Sequence, residues 1–110
     1  MTNKIELPKS VRVGYATYKI EEWPVELANA AARHSECDKL NHIIRVRTDM
    51  KACETANSLL HEILHAIWNV GAIDSGDEEK CVTIFANQLI QIMQDNPVVM
   101  DWITKNARTL

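Results

Sequence analysis

The sequence lacks the marks of several large protein classes. Its 110 residues contain no repeat, no low-complexity tract and no linker, so we expect a single folded unit. No run approaches the roughly 18 apolar residues of a membrane span, and residues 1–8 hold no apolar stretch of the kind found in a secretory signal. These absences predict a cytoplasmic protein with no membrane partner.

Cysteine pairs and excess positive charge are also missing. Cys37, Cys53 and Cys81 are odd in number and widely spaced, which argues against a disulfide framework or a Cys-x-x-Cys metal site and favours reduced thiols. A net charge of −3 gives no electrostatic reason to expect a nucleic-acid partner. With 46% hydrophobic and 25% charged residues, the composition is that of an ordinary globular domain.

The first half of the chain is patterned for strands. Residues 11–15 and 17–21 alternate and are rich in β-formers, which predicts two strands joined by a turn. Residues 42–47 predict a further strand after a second turn. Residues 25–33 are rich in alanine and fit either a short helix or an irregular crossing. Strands followed by helices predict an α+β fold, with a small N-terminal sheet packed on two helices.

The second half is patterned for helices. The first runs from about residue 51 to 70, with Thr48 or Asp49 as its N-cap, and the second covers about 77–94. A short terminal helix is predicted at 98–107, after the break at Asn96-Pro97. The predicted apolar faces are Ala56, Leu60, Ile63, Leu64, Ile67 and Val70 on the first helix, and Val82, Phe85, Ala86, Leu89, Ile90 and Met93 on the second.

The pentapeptide His-Glu-Ile-Leu-His at residues 61–65 lies in the middle of the first long helix. Residues four apart lie one above the other on a helix, so the imidazoles of His61 and His65 can reach one metal ion. Glu62 lies about 100° around the helix from His61, where it can take a proton from a metal-bound water. All three fall on the predicted polar side. The pattern indicates part of a zinc hydrolase site; the plain alternative is a helix with two surface histidines.

Two histidines do not complete a catalytic zinc site, which usually has three protein ligands and one water. Glu78 and Glu79 begin the second long helix, and the loop at 71–76 returns them toward the motif, so we expect both to point broadly inward. Acidic residues are also common at helix N-termini because they interact favourably with the helix dipole. Both glutamates can be explained in this way without a metal. Asp74, Asp77 and Cys81 remain further candidates for the third ligand.

Several stretches together carry a resemblance to a known family: HEILHAIW at 61–68, EEKCV at 78–82, Phe85-Ala86 and DNP at 95–97. This pattern resembles small zincin-type metallopeptidases of the gluzincin kind, in particular those encoded by phages and prophages. The resemblance implies a minimal zincin-like domain over residues 1–110 with Zn²⁺ as cofactor. In such families the third ligand is a glutamate that starts the next helix in a Glu-x-x-small pattern. Glu79 fits that pattern, although a valine stands where alanine is common.

The resemblance implies a zinc-dependent metallopeptidase that acts on a peptide or protein. Zinc held by His61, His65 and Glu79 would lower the pKa of its bound water. Glu62 would take the proton as general base and pass it to the leaving amine. Zincins commonly bind substrate along the strand before the zinc helix, which here would be residues 42–47. The group that stabilises the oxyanion stays open among Tyr15, Tyr18, His34 and His42.

Two other functions fit the sequence. A zinc-binding regulatory or interaction module would keep the metal for stability, and a fourth protein ligand such as Cys81 would favour it. The intact Glu62 argues against that interpretation, because a structural site has no use for a general base. A phage regulatory protein whose partner presents the substrate is a third possibility, suggested by the small size of the domain, and would act in the host cytoplasm. Neither the substrate nor the oligomeric state follows from the sequence.

Overall fold

The fold, taken from a computed structural model, is described for residues 5–72 and 76–109. Within these ranges the chain forms a four-stranded mixed sheet and four helices, which confirms the predicted α+β class. No helix among these residues is long and apolar enough to cross a membrane. In chain order the elements are β1 (Ser10–Val13), β2 (Ala16–Glu22), α1 (Val25–Ala31), β3 (Ser35–Asp38), β4 (Ile43–Val46), α2 (Ala52–Val70), α3 (Glu78–Asp95) and α4 (Pro97–Ala107).

The sheet has the strand order β1-β2-β4-β3. The first two strands form the predicted antiparallel hairpin, β2 then pairs in parallel with β4, and β4 pairs antiparallel with β3. The strand predicted at 42–47 is therefore β4, and it lies inside the sheet with a neighbour on each side. The edge next to it is β3, which no sequence pattern predicted.

Polar side chains explain why β3 forms. Its sequence Ser-Glu-Cys-Asp is poor in β-formers, so propensity alone gives no strand signal. On the neighbouring strand, Arg45 lies 2.6 Å from the carboxylate of Glu36 and 3.7 Å from that of Asp38. Cross-strand ion pairs of this kind favour the register that brings them together. The edge strand is thus specified by its partner, which the local sequence does not reveal.

The core lies between one face of the sheet and helix α2. Alternate residues of β1, β2 and β4 point to this face, as expected for strands with one buried side. Helix α4 packs along α2 and closes the layer from the other side. The buried cluster consists of Val11, Val13, Ala16, Tyr18, Ile20, Ile44, Val46, Leu59, Ile63, Ala66, Ile67, Ile92 and Val99.

Helix α2 has the predicted length but a different buried face. Leu60 and Leu64, predicted to be buried, are 36% and 37% exposed. Glu62, predicted to be on the polar side, is only 5% exposed. The side of α2 that contains Leu59, Glu62 and Ala66 packs against the sheet. The buried face of the helix is therefore the one turned toward the sheet and not the one that contains the most leucines.

The predicted N-cap of α2 is wrong. The helix begins after Lys51, whose side chain makes no capping hydrogen bond. Thr48 instead donates to the carboxylate of Glu22 at 2.6 Å. Asp49 accepts two hydrogen bonds from Arg47, at 2.9 and 2.6 Å. Both predicted caps are engaged elsewhere, because partners distant in sequence compete for their oxygens.

Helix α3 is rotated relative to its predicted apolar face. Val82, Ile90 and Met93 are each more than half exposed, whereas Ile92 is buried. Gln91 accepts a hydrogen bond from the backbone of Gly14 at 2.7 Å and so attaches α3 to the hairpin. Gln91 also donates to the backbone carbonyl of Arg12 on β1 at 3.2 Å. A pattern of apolar residues could not predict these polar contacts to the hairpin.

Candidate metal and catalytic site

The two histidines of the motif converge on one point. The Nε2 atoms of His61 and His65 are 3.2 Å apart, and both side chains are exposed. Two nitrogen ligands at the usual zinc distance and the tetrahedral angle lie about 3.4 Å apart. One neutral imidazole can also donate to the other at this separation when no metal is bound. The pair therefore has the spacing of two ligands on one zinc ion.

Glu62 follows His61 on α2 and faces the edge strand β3. The residue is 5% exposed, and its Oε2 accepts a hydrogen bond from the Ser35 hydroxyl at 2.5 Å. A buried carboxylate is tolerated when such a charge-assisted hydrogen bond replaces water. Ser35 begins β3 and was not found by sequence reasoning. No local pattern marks it, because the two residues are 27 positions apart.

A cleft of about 650 Å³ opens over this group, between β3 and α2. Within the described ranges β3 pairs only with β4, so its other backbone edge has no neighbouring strand there, and Ser35, Glu36 and Cys37 of β3 line the cleft. The expected substrate strand at 42–47 is therefore wrong, because β4 is paired on both sides and has no free edge. The strand beside the site is β3. The residues around the cleft include Ser35, Asn57, His61, Glu62 and His65.

Cys37 follows Ser35 on the cleft side of β3. Burial, together with the negative charge of Glu62, raises the pKa of its thiol to about 11. The shift extends the pH range over which the thiol stays protonated, from about 9 to about 11.

Of the four candidates for oxyanion stabilisation, His34 is the one that lines the cleft. Tyr18 is fully buried, and its hydroxyl accepts a hydrogen bond from Asn69 at 3.1 Å. Burial raises the pKa of Tyr18 above its usual value. His42 stacks against the ring of Tyr18, with centroids 4.8 Å apart, and Tyr15 is 75% exposed.

No candidate for a third metal ligand is gathered with the histidines among the described residues. Residues 5–72 and 76–109 contain no group of three or more His, Cys, Asp or Glu side chains that could hold a metal ion. Glu78 and Glu79 are both exposed, and the expectation that both point inward is wrong for Glu79, which lies on the exposed side of α3. Asp77 accepts a hydrogen bond from the backbone of Lys80 as the N-cap of α3, and Asp74 lies outside the described residues.

Glu78 and Glu79 lie on different sides of helix α3. Phe85 and Ile92 mark the side of α3 that faces the core, and Glu78 precedes Phe85 by seven residues, or about two helical turns. Glu79 lies about 100° farther round, on the side of the exposed residues Val82, Ala86 and Ile90. The rotation of α3 thus favours Glu78, whereas the family resemblance favours Glu79.

A second, apolar pocket of about 480 Å³ adjoins the histidines. Leu64 and Trp68 of α2 and Phe85 of α3 line it, and the two rings lie 6.1 Å apart between centroids. His61, His65 and Lys39 belong to both this pocket and the polar cleft. Trp68 is 42% exposed and forms a wall of this pocket.

Comparison with known proteins adds no relative. No protein-family model matches the chain, and no curated protein or solved structure matches it. The function of the protein is therefore inferred from the motif and from the geometry around it.

Proposed function

We propose that the protein is a zinc-dependent metallopeptidase of a minimal zincin type. His61 and His65 would bind the metal, and Glu62 would be the general base. The observation that carries the proposal is the convergence of the two Nε2 atoms in a cleft that is also lined by the buried Glu62. Two chance surface histidines do not require the intervening glutamate to be buried, and burying it is costly.

Zinc bound to the two histidines would supply a Lewis acid and lower the pKa of a bound water. The Ser35 hydrogen bond orients the Glu62 carboxylate through Oε2 and leaves Oε1 to take a proton and return it to the leaving amine. Because Glu62 is largely shielded from water, its orientation is fixed before substrate binds. His34 is the proposed donor to the developing oxyanion.

The substrate in this proposal is an extended peptide that pairs with the outer edge of β3. Such a strand would cross the cleft next to His61 and His65, in the manner of strand addition. Glu79 is the third ligand by resemblance, and Glu78 is the alternative favoured by the rotation of α3. We place the protein in a cytoplasm, where its three cysteines would stay reduced. A phage origin rests on the resemblance carried by residues 61–68, 78–82, 85–86 and 95–97.

The test measures zinc stoichiometry and cleavage of a degenerate peptide library by mass spectrometry, which needs no known substrate. We expect one zinc in the parent and none in His65→Ala. Glu62→Gln should keep the zinc and lose cleavage by at least about 100-fold. Glu54→Gln, an exposed carboxylate in the first turn of the same helix, is the matched control. Cleavage by Glu62→Gln at the parental rate would contradict the mechanism.

The same measurement decides the third ligand. Loss of zinc in Glu79→Ala with retention in Glu78→Ala supports the resemblance, and the reverse supports the rotation of α3. One tightly bound zinc with no cleavage of the library would favour the regulatory or interaction module instead.

A further inference from the structure

We propose that Lys39 binds a carboxylate of the peptide, and that the apolar pocket lined by Leu64, Trp68 and Phe85 takes the adjoining bulky apolar side chain. The inference rests on the proposed function for its ligand, a peptide, but it concerns binding and does not require hydrolysis. It names the substrate class: a peptide with a large apolar residue next to a negative charge.

The apolar pocket has the composition of a side-chain subsite. Trp68 is 42% exposed and Leu64 37%, and Phe85 packs beside Trp68 as a second ring. Water-exposed aromatic surface costs free energy, which a bound apolar side chain would recover by covering it. The concave arrangement, with two imidazoles at one end, is typical of a ligand pocket and not of a flat exposed patch.

Lys39 is the cation shared by the two cavities. It follows β3 directly, it is exposed, and it forms no ion pair with any residue of the described ranges. The nearby acid Glu36 is already paired with Arg45 at 2.6 Å, and Glu62 is bonded to Ser35. The Lys39 charge also acts within the cleft, where it lowers the pKa of the Cys37 thiol against the larger effect of burial. Its ammonium group is therefore available to a bound anion.

The shared lining fixes where that anion belongs on the peptide. A side chain seated in this pocket against Trp68 and Phe85 brings its own backbone beside His61 and His65, because the pocket and the cleft meet at these histidines. Lys39 borders the same junction, so it can reach a carboxylate on the seated residue or on its neighbour. Two sources supply this chemistry: an acidic side chain within a chain, or the free carboxylate of a peptide C-terminus.

The experiment measures dissociation constants of labelled pentapeptides by fluorescence anisotropy, with metal-free protein and with Glu62→Gln. Three peptides share a central leucine: one has a neighbouring glutamate and an amidated end, one has a free C-terminal carboxylate next to the leucine, and one has neither charge. For at least one of the charged peptides, we expect Lys39→Met to weaken binding about 5-fold, as for one partly exposed ion pair. The uncharged peptide should be unaffected.

Lys105→Met, an exposed lysine on α4, is the matched control. If Lys39→Met loses affinity only for the glutamate peptide, the bound anion is a side-chain carboxylate. If it loses affinity only for the peptide with the free C-terminus, the bound anion is the terminal carboxylate. Equal affinities for Lys39→Met, Lys105→Met and parent with every peptide would overturn the proposal.

The pocket is tested by replacing the central leucine with alanine. The parent should bind the alanine peptide several-fold more weakly, and Trp68→Ala should lose this preference. Leu64→Gln provides a second variant at a partly exposed position if Trp68→Ala fails to fold. No preference in the parent would overturn the pocket assignment. Peptide binding with these preferences but without any cleavage of the library would contradict the proposed peptidase activity and still support the peptide-binding site.

Discussion

Helices α2 and α3 are nearly equal in length, at 19 and 18 residues, and both are amphipathic, yet they are buried to very different extents. Eight residues of α2 are buried, whereas Ile92 is the buried residue of α3. The difference arises because α2 crosses the face of the sheet and α4 covers it from behind, while α3 meets β1 and α4 mainly through its C-terminal half. Similar periodicity therefore predicts two helices but not how firmly each is held.

This difference divides the site. His61, Glu62 and His65 are positioned by a rigid, well-packed helix, and Ser35 fixes the carboxylate from the sheet. The candidate third ligands lie on the exposed first turn of α3. A catalytic site depends on the packing that supports it, so we expect the two halves to respond differently to mutation.

The largest difference should be in stability. Leu59→Ala removes a fully buried side chain of α2 and should lower the free energy of unfolding by about 2–5 kcal/mol. Ile90→Ala removes a side chain of α3 that is 57% exposed and should cost less than about 1 kcal/mol. Urea unfolding followed by circular dichroism measures both. Equal losses would show that α3 is as tightly packed as α2.

The next effect concerns the hydrogen bond between Ser35 and Glu62. Ser35→Ala leaves a buried carboxylate without its donor and should destabilise the fold by about 1.5–3 kcal/mol. It should also reduce kcat more than KM, because the carboxylate loses its orientation. Ser35→Thr keeps the hydroxyl and should restore most of both, and Ser10→Ala at an exposed position serves as control. A parental kcat in Ser35→Ala would refute the orienting role.

The point where both helices meet the hairpin gives a smaller effect. Gly14 has φ +61°, and a Cβ added there would lie 2.6 Å from Cγ1 of Val70 on α2 and 3.4 Å from Oε1 of Gln88 on α3. Gly14→Ala should cost at least about 1–2 kcal/mol from the left-handed backbone alone. Gly76→Ala has no atom within 4 Å of its added Cβ and should change stability little. Similar unfolding midpoints for the two variants would contradict this packing.

The smallest effect is a pH dependence. The pKa of Cys37 is raised to about 11 in the folded protein from 9.0, so the unfolded chain loses its thiol proton first. The contribution of the Cys37 thiol to the free energy of unfolding is complete below about pH 9 and is lost as the pH rises toward 11. The urea midpoint of the parent should therefore fall more steeply between pH 8 and 11 than that of Cys37→Ala. Cys53→Ala controls for removing a thiol, and parallel slopes for the parent and Cys37→Ala would argue against the burial of this group.

Local sequence patterns predicted the helices and strands themselves far better than the long-range contacts that these elements make. The hairpin, α2 and the end of α3 at Asn96 follow from alternation, helical periodicity and the following proline, which act within a few residues. The edge strand β3 escaped prediction because its own residues are poor β-formers, and its pairing with β4 and the contact of Glu36 with Arg45 join segments that are distant in sequence. The N-cap of α2 escaped because Glu22 and Arg47 compete for Thr48 and Asp49.

For the site, the sequence alone determined that His61 and His65 share one helical face and that Glu62 lies beside them, since the period of the helix fixes these relations locally. Only the tertiary structure decided that Glu62 is buried against Ser35, that β3 and not β4 borders the cleft, and that Lys39 and Phe85 adjoin the histidines. These relations depend on which face of each helix meets the sheet. That choice is made by the packing of the whole core and by long-range polar contacts, which no local sequence pattern encodes.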